Sequence, residues 1–183
     1  MTDPSGITRV LAVADPSGDG EALEAAARLA RTHGAALSLF ASIEPPSDLA
    51  ALARATGMAP EEMLTRIREE RGARLAAAAR HVLGGQDLDI HVAAGKPFVE
   101  IIRHVLRHDI DIVVKTAEPL AGLDRLLFAS TDQHLVRKCP CAVWLRLPGS
   151  SPEPKTVIAA VDVDDWDASE PETLADLNRR VIR

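Results

Sequence analysis

Aromatic side chains are scarce in this chain, 3% of the residues, and tyrosine does not occur. Stacking platforms for single-stranded nucleic acid are built from aromatic rings, so that class of ligand is set aside. The two cysteines, Cys139 and Cys141, are too few for a secreted disulfide framework. Cations are in deficit, 21 Lys and Arg against 27 Asp and Glu, for a formal net charge of −6. The two signs are mixed along the chain, whereas duplex DNA binding needs a segregated basic face. No long uncharged apolar run occurs, and no basic lead precedes an apolar stretch. Neither a membrane span nor a signal peptide is expected, and the expected setting is the cytoplasm.

What is present is a core-forming supply of Ala, Leu and Val within a hydrophobic fraction of 46%. Val10 to Ala14 is a continuous apolar run that stops at Asp15-Pro-Ser-Gly-Asp-Gly, which predicts a buried strand and then a turn. Leu23, Ala26, Ala27 and Ala30 recur at helical spacing before Gly34. Leu37 to Ile43 reads as a second strand closed by Pro45-Pro46, and Ser47 to Met58 leaves room for a short helix without a clean period. Pro60, Glu61 and Glu62 suit the first turn of a long helix. Its expected inner face is Leu64, Ile67, Leu75, Ala78, Ala79 and Val82, with Arg71-Gly72 as a place to bend. Leu88 to Val92 alternates as a half-buried strand. Gly95-Lys-Pro then turns into a helix expected to bury Phe98, Ile101, Ile102, Val105 and Leu106. Strands and helices alternate throughout. That order predicts an α/β, doubly wound layer structure with right-handed crossovers.

The stretch from Ile110 to Leu147 organises the rest. Ile112, Val113 and Val114 form a β-branched run, and a charged, turn-rich loop covers Lys115 to Phe128. Ser130 opens a helix with Gln133 three residues on, a capping-box pattern, and Asp132 in the first turn. Lys138 and Cys139 end it before Pro140, and Cys141 to Leu147 reads as an outer strand. A strand feeding a loop and a helix N-terminus is a usual phosphate-holding place.

This arrangement resembles the universal stress protein (UspA) family, whose signature is a strand ending in V-V-G, then G-x-x-G, nine residues, and G-[ST]. Leu135-Val-Arg-Lys-Cys-Pro-Cys-Ala-Val-Trp is similar to the family's closing helix and dimer-forming strand, and closest to the N-terminal half of tandem, UspE-like members. The resemblance covers Ile7 to Leu147. It implies a five-stranded parallel sheet of order 3-2-1-4-5, the adenine nucleotide alpha hydrolase-like fold. It also implies a domain at 1–147, a linker at 148–155 and the incomplete start of a second copy at 156–183. There Val157-Ile-Ala-Ala-Val-Asp162 echoes Val10-Leu-Ala-Val-Ala-Asp15. A homodimer through Cys141–Leu147 follows, since the second half that would pair with this edge is incomplete.

By the same resemblance, Asp15 stands where the family contacts adenine, Gly95 at the turn near the ribose, and Ser130 and Thr131 beside the phosphates. Each also has a plain structural reading: Asp15 and Ser130 as turn and helix caps, Gly95 as a strand-to-helix turn. The signature glycines do not match. Lys115 or Thr116 replaces the first, Glu118 or Pro119 the second and Ala129 the third. Pro119 removes an amide donor and Glu118 adds a like charge, so neither ATP nor another cofactor is expected to bind. His104 and His108 stand at i, i+4 with Glu100 a turn earlier, a spacing that suits Zn²⁺. On a helical wheel they fall away from Phe98, Ile102 and Val105 and read as a solvated face, so no metal is expected. A phospho-receiver would need an acceptor Asp where this chain has Ala93-Ala94. No nucleophile–base pair is present. The resemblance implies a non-catalytic stress-response module acting through a protein or a non-nucleotide small molecule, the alternative being an ATP-binding member of the family with weak or no hydrolysis.

Overall fold

The computed structural model describes residues 6–14, 20–118, 130–151 and 153, with Ser130 described in its backbone only. The expected second copy at 156–183 lies outside these residues.

The early apolar run becomes β1 (Arg9–Val13), the middle strand of the sheet. Alternation follows as α1 (Glu21–His33), β2 (Ala36–Ile43), α2 (Leu49–Thr56), α3 (Pro60–Val82) and β3 (Asp89–Ala94). Then come α4 (Pro97–His108), β4 (Ile112–Thr116), α5 (Ser130–Lys138) and β5 (Ala142–Arg146). The strand order is β3-β2-β1-β4-β5, and every neighbouring pair is parallel. This is the 3-2-1-4-5 sheet that the resemblance implied.

Side chains of a strand point alternately to its two faces, and β1 uses both. Val10 and Ala12 pack with Leu23 and Ala26 of α1 and with Leu75 and Ala79 of α3. Leu11 and Val13 pack with Ile101 and Val105 of α4 and Leu135 of α5. The sheet is therefore covered by helices on both sides, which is why its central strands read as unbroken apolar runs.

Two helices sit differently from their apolar pattern. In α3, Leu75 and Ala79 are buried while Ala78 and Val82 are exposed. The helix runs on through Gly72 without a break, the glycine facing Val92 across ordinary contact distance. In α4 the inward stripe is Ile101, His104 and Val105, and Leu106 is 64% exposed. His104 is buried because the ring of Phe40 on β2 covers it, centroids 5.0 Å apart. Packing against a neighbouring strand outweighed hydropathy in choosing the face.

Residues at the start of the expected linker contact the end of β5 and α1. Arg146, buried at the end of β5, donates to the Ser150 carbonyl at 2.7 Å and contacts the Glu21 carboxylate at 3.5 Å. Gly149 N–H donates to the same carboxylate at 3.1 Å.

Candidate functional site

β1 hands the chain to α1 on one face of the sheet, while β4 hands it to α5 on the other. A crevice opens where such connections diverge, beyond the carboxyl ends of the strands. Here it is a cavity of about 360 Å³ walled by Ala14, Ser42, Pro97, Lys115, Glu118 and Thr131. Arg71 of α3 also lines it.

Lys115 dominates the chemistry. Pairing of β4 between β1 and β5 buries it to 3% exposure. Its ammonium donates to the Thr116 carbonyl at 2.9 Å and to Glu118 Oε1 at 2.8 Å. Asp132, fully buried in the first turn of α5, brings Oδ1 to 2.9 Å from Nζ, at an angle poor for a hydrogen bond. Its Oδ2 accepts the Glu118 N–H at 2.9 Å. One cation is thus held by two carboxylates, so the three side chains together carry one net negative charge.

Of the four candidate residues, Thr131 lines the cleft. Ser130 begins α5, but its side chain lies outside the description, as does the whole of Asp15. Gly95 makes the turn from β3 into α4. Its N–H donates to the Ile43 carbonyl at 2.9 Å, and its φ of 147° lies where only glycine is comfortable. A Cβ there would stand 2.9 Å from Glu100 Oε1. The ion pair of Lys115 with Asp132 was missed from sequence, though Asp132 shares a helical face with buried Leu135. That i, i+3 spacing was the available signal.

His104 and His108 do not form one solvated face. His108 is exposed, but His104 is buried. Burial first, then the neighbouring His108 and His91, lowers the pKa of His104 to about 4, so its ring is neutral at pH 7. Cys139 and Cys141 are both free thiols, their sulfurs 3.6 Å apart. The hydrogen bond with Cys139 and then burial raise the Cys141 thiol, and the same hydrogen bond lowers Cys139 to about 7.

Residues 6–145 match the universal stress protein family profile. The chain belongs to the universal stress protein family. Among curated members it is 29% identical to universal stress protein E of Photorhabdus laumondii over 180 residues, 95% of this chain and 55% of that protein. It is 30% identical to universal stress protein E of Escherichia coli K12 over 180 residues, 95% of this chain and 54% of that one. The chain thus spans about half the length of these relatives. Among solved structures, universal stress protein UspA from Lactobacillus plantarum superposes with a TM-score of 0.56 at 18% identity, covering 76% of this chain and 97% of that one. That likeness bears on the fold.

Proposed function

We propose that this domain is a non-catalytic, UspE-like module of the stress response, including resistance to DNA damage or oxidative stress, whose cleft no longer accepts ATP. The observation that carries this reading is the commitment of Lys115. A phosphate chain entering the cleft needs uncompensated donors, and the buried ammonium beside it is already held by Glu118 and Asp132. Bringing a polyphosphate toward that net negative group costs free energy in a poorly screened site. The loop that follows, Lys115 to Phe128, offers Pro119 and Glu118 where the family signature has glycine. The domain acts through a protein partner or a non-nucleotide small molecule, as a homodimer joined at Cys141–Leu147. We place it in the cytoplasm; among the described residues no helix is long and apolar enough to cross a membrane.

The alternative, an ATP-binding stress protein with weak or no hydrolysis, is favoured by one feature: the cleft sits at the switch point, with Thr131 in its wall. Thermal melting with millimolar Mg·ATP separates the two. A ligand at about 100 times its Kd stabilises the native state by about 2.7 kcal/mol. For a domain of this size that is a rise of roughly 5–10 °C. No rise is expected, and a rise of that order replaces the proposal with the alternative.

A further inference from the structure

Away from the nucleotide cleft, at the amino ends of the strands, three imidazoles meet. His91 comes from β3, and His104 and His108 from successive turns of α4. Ring centroids are 4.2 Å apart for His104 and His108, 4.5 Å for His91 and His104, and 5.2 Å for His91 and His108. One nitrogen from each ring lies within 4.8 Å of the other two. The geometry points to a divalent-cation site of the Zn²⁺ class built from His91, His104 and His108.

The residue types and spacing fit that ion. Three imidazoles with one position left open is a frequent Zn²⁺ donor set, and its Zn–N distances of about 2.0–2.1 Å place the nitrogens roughly 3.3 Å apart. His104 and His108 share a helix face at i, i+4, so rotation of the side chains is the movement that binding would require to close the present gaps to that value. Asp89 Oδ2 lies 2.9 Å from His91 Nε2, the carboxylate partner that commonly orients a ligating histidine. The site is also reachable. The three histidines share an open cavity of about 440 Å³ with Asp89, Arg9 and Arg107. Its two arginines do not bar a cation, since Asp89 and Asp109 offset them and Arg9 is paired with Asp109 at 3.2 Å. With no acid–base pair at the open position, the site as it stands is a binding centre, leaving the ion able to take water or an anionic ligand beside Arg107. It is independent of the reading of the nucleotide cleft.

The test is isothermal titration of ZnCl₂ into chelator-stripped, tag-free full chain. One equivalent per chain is expected. His91→Gln and His108→Gln should each weaken binding at least about tenfold, and Asp89→Asn about tenfold. Their melting temperatures in chelator identify any variant that fails to fold. His108→Gln decides in that case, because its side chain is exposed. The dithiol Cys139/Cys141 is the competing donor set, so the double Cys→Ser variant must bind unchanged. Co²⁺ should give visible bands of a nitrogen-rich site without near-ultraviolet thiolate charge transfer. Absence of binding below millimolar Zn²⁺, binding unmoved by His108→Gln in folded protein, or binding abolished by the cysteine variant overturns the assignment.

Discussion

Nζ of Lys115 lies 2.9 Å from Oδ1 of Asp132, with side-chain exposures of 3% and 0%. The two residues are joined across the connection from β4 to α5, so this pair fastens the end of a central strand to the helix that covers it. Burying two charges is costly, and each is tolerable only because the other is there.

Removing one partner alone should therefore be severe. Lys115→Met is expected to cost about 3–5 kcal/mol, because it leaves Asp132 buried and uncompensated. The double variant Lys115→Met, Asp132→Leu should recover most of that loss, less the Glu118 N–H bond that Asp132 also accepts. Urea unfolding of all four proteins of the cycle measures the coupling; additive single costs would show that the pair does not act as one.

Cys139 is the more reactive thiol. Its pKa, lowered to about 7 by the hydrogen bond shared with the Cys141 sulfur, leaves it about half ionised at neutral pH. Iodoacetamide at pH 7 should label Cys139 first, as peptide mapping can show. Cys141→Ala removes that partner and returns Cys139 toward the ordinary thiol pKa of about 8.5, so its thiolate fraction at pH 7 should fall roughly fifteenfold. Equal labelling of both sulfurs in the unmodified chain would contradict this.

Acid should loosen the start of β1. Burial would raise the Asp111 carboxyl, but bonds from the Thr8 N–H and hydroxyl and the Arg9 N–H, at 2.7–2.8 Å, hold it below the usual range. A carboxyl with a depressed folded-state pKa adds stability above its unfolded pKa and loses it as pH falls through the folded value. Asp111→Asn should thus lower stability at pH 7 by about 1 kcal/mol, a figure discounted for solvent screening. The difference from the parent should shrink below about pH 4. Melting curves from pH 3 to 8 test the convergence.

One of the two edges of the sheet is β5, where Ala142 is exposed and Val143, Trp144 and Leu145 are half-buried. An edge with this apolar content invites pairing with a second strand. Sedimentation velocity should report a dimer whose fraction rises with concentration. A monomer mass across the micromolar range would remove Cys141–Leu147 as the interface.

Elements whose cause is local were legible in the sequence. β1 declared itself as Val10 to Ala14 before a turn cluster, and α1 by Leu23, Ala26, Ala27 and Ala30, all four of them buried. Strand order was another matter; it came from the family resemblance around Leu135–Trp144, because spacing alone does not say which parallel strands adjoin. The sites were least legible. A lysine at a strand end reads as surface until its partner is known, and Asp132 lies beyond a loop whose length hides the pairing. His91 escaped notice for the same reason: a helical wheel shows His104 and His108 but no residue of the strand beneath. Burial of charge and convergence of imidazoles are tertiary facts, written in pairs of positions rather than in windows.

The clasp between Glu21 and Gly149 spans 128 positions of sequence. Contacts of such long range form only after the intervening chain has been threaded into place, since loop closure must come before the contact can repay it. The clasp is therefore expected to form late in assembly, after the nearer contacts among β1, β2 and α1. Weakening it, as in Glu21→Gln, should then speed unfolding more than it slows folding. On that expectation a residue of the first helix, Glu21, serves as a kinetic lock on the end of β5.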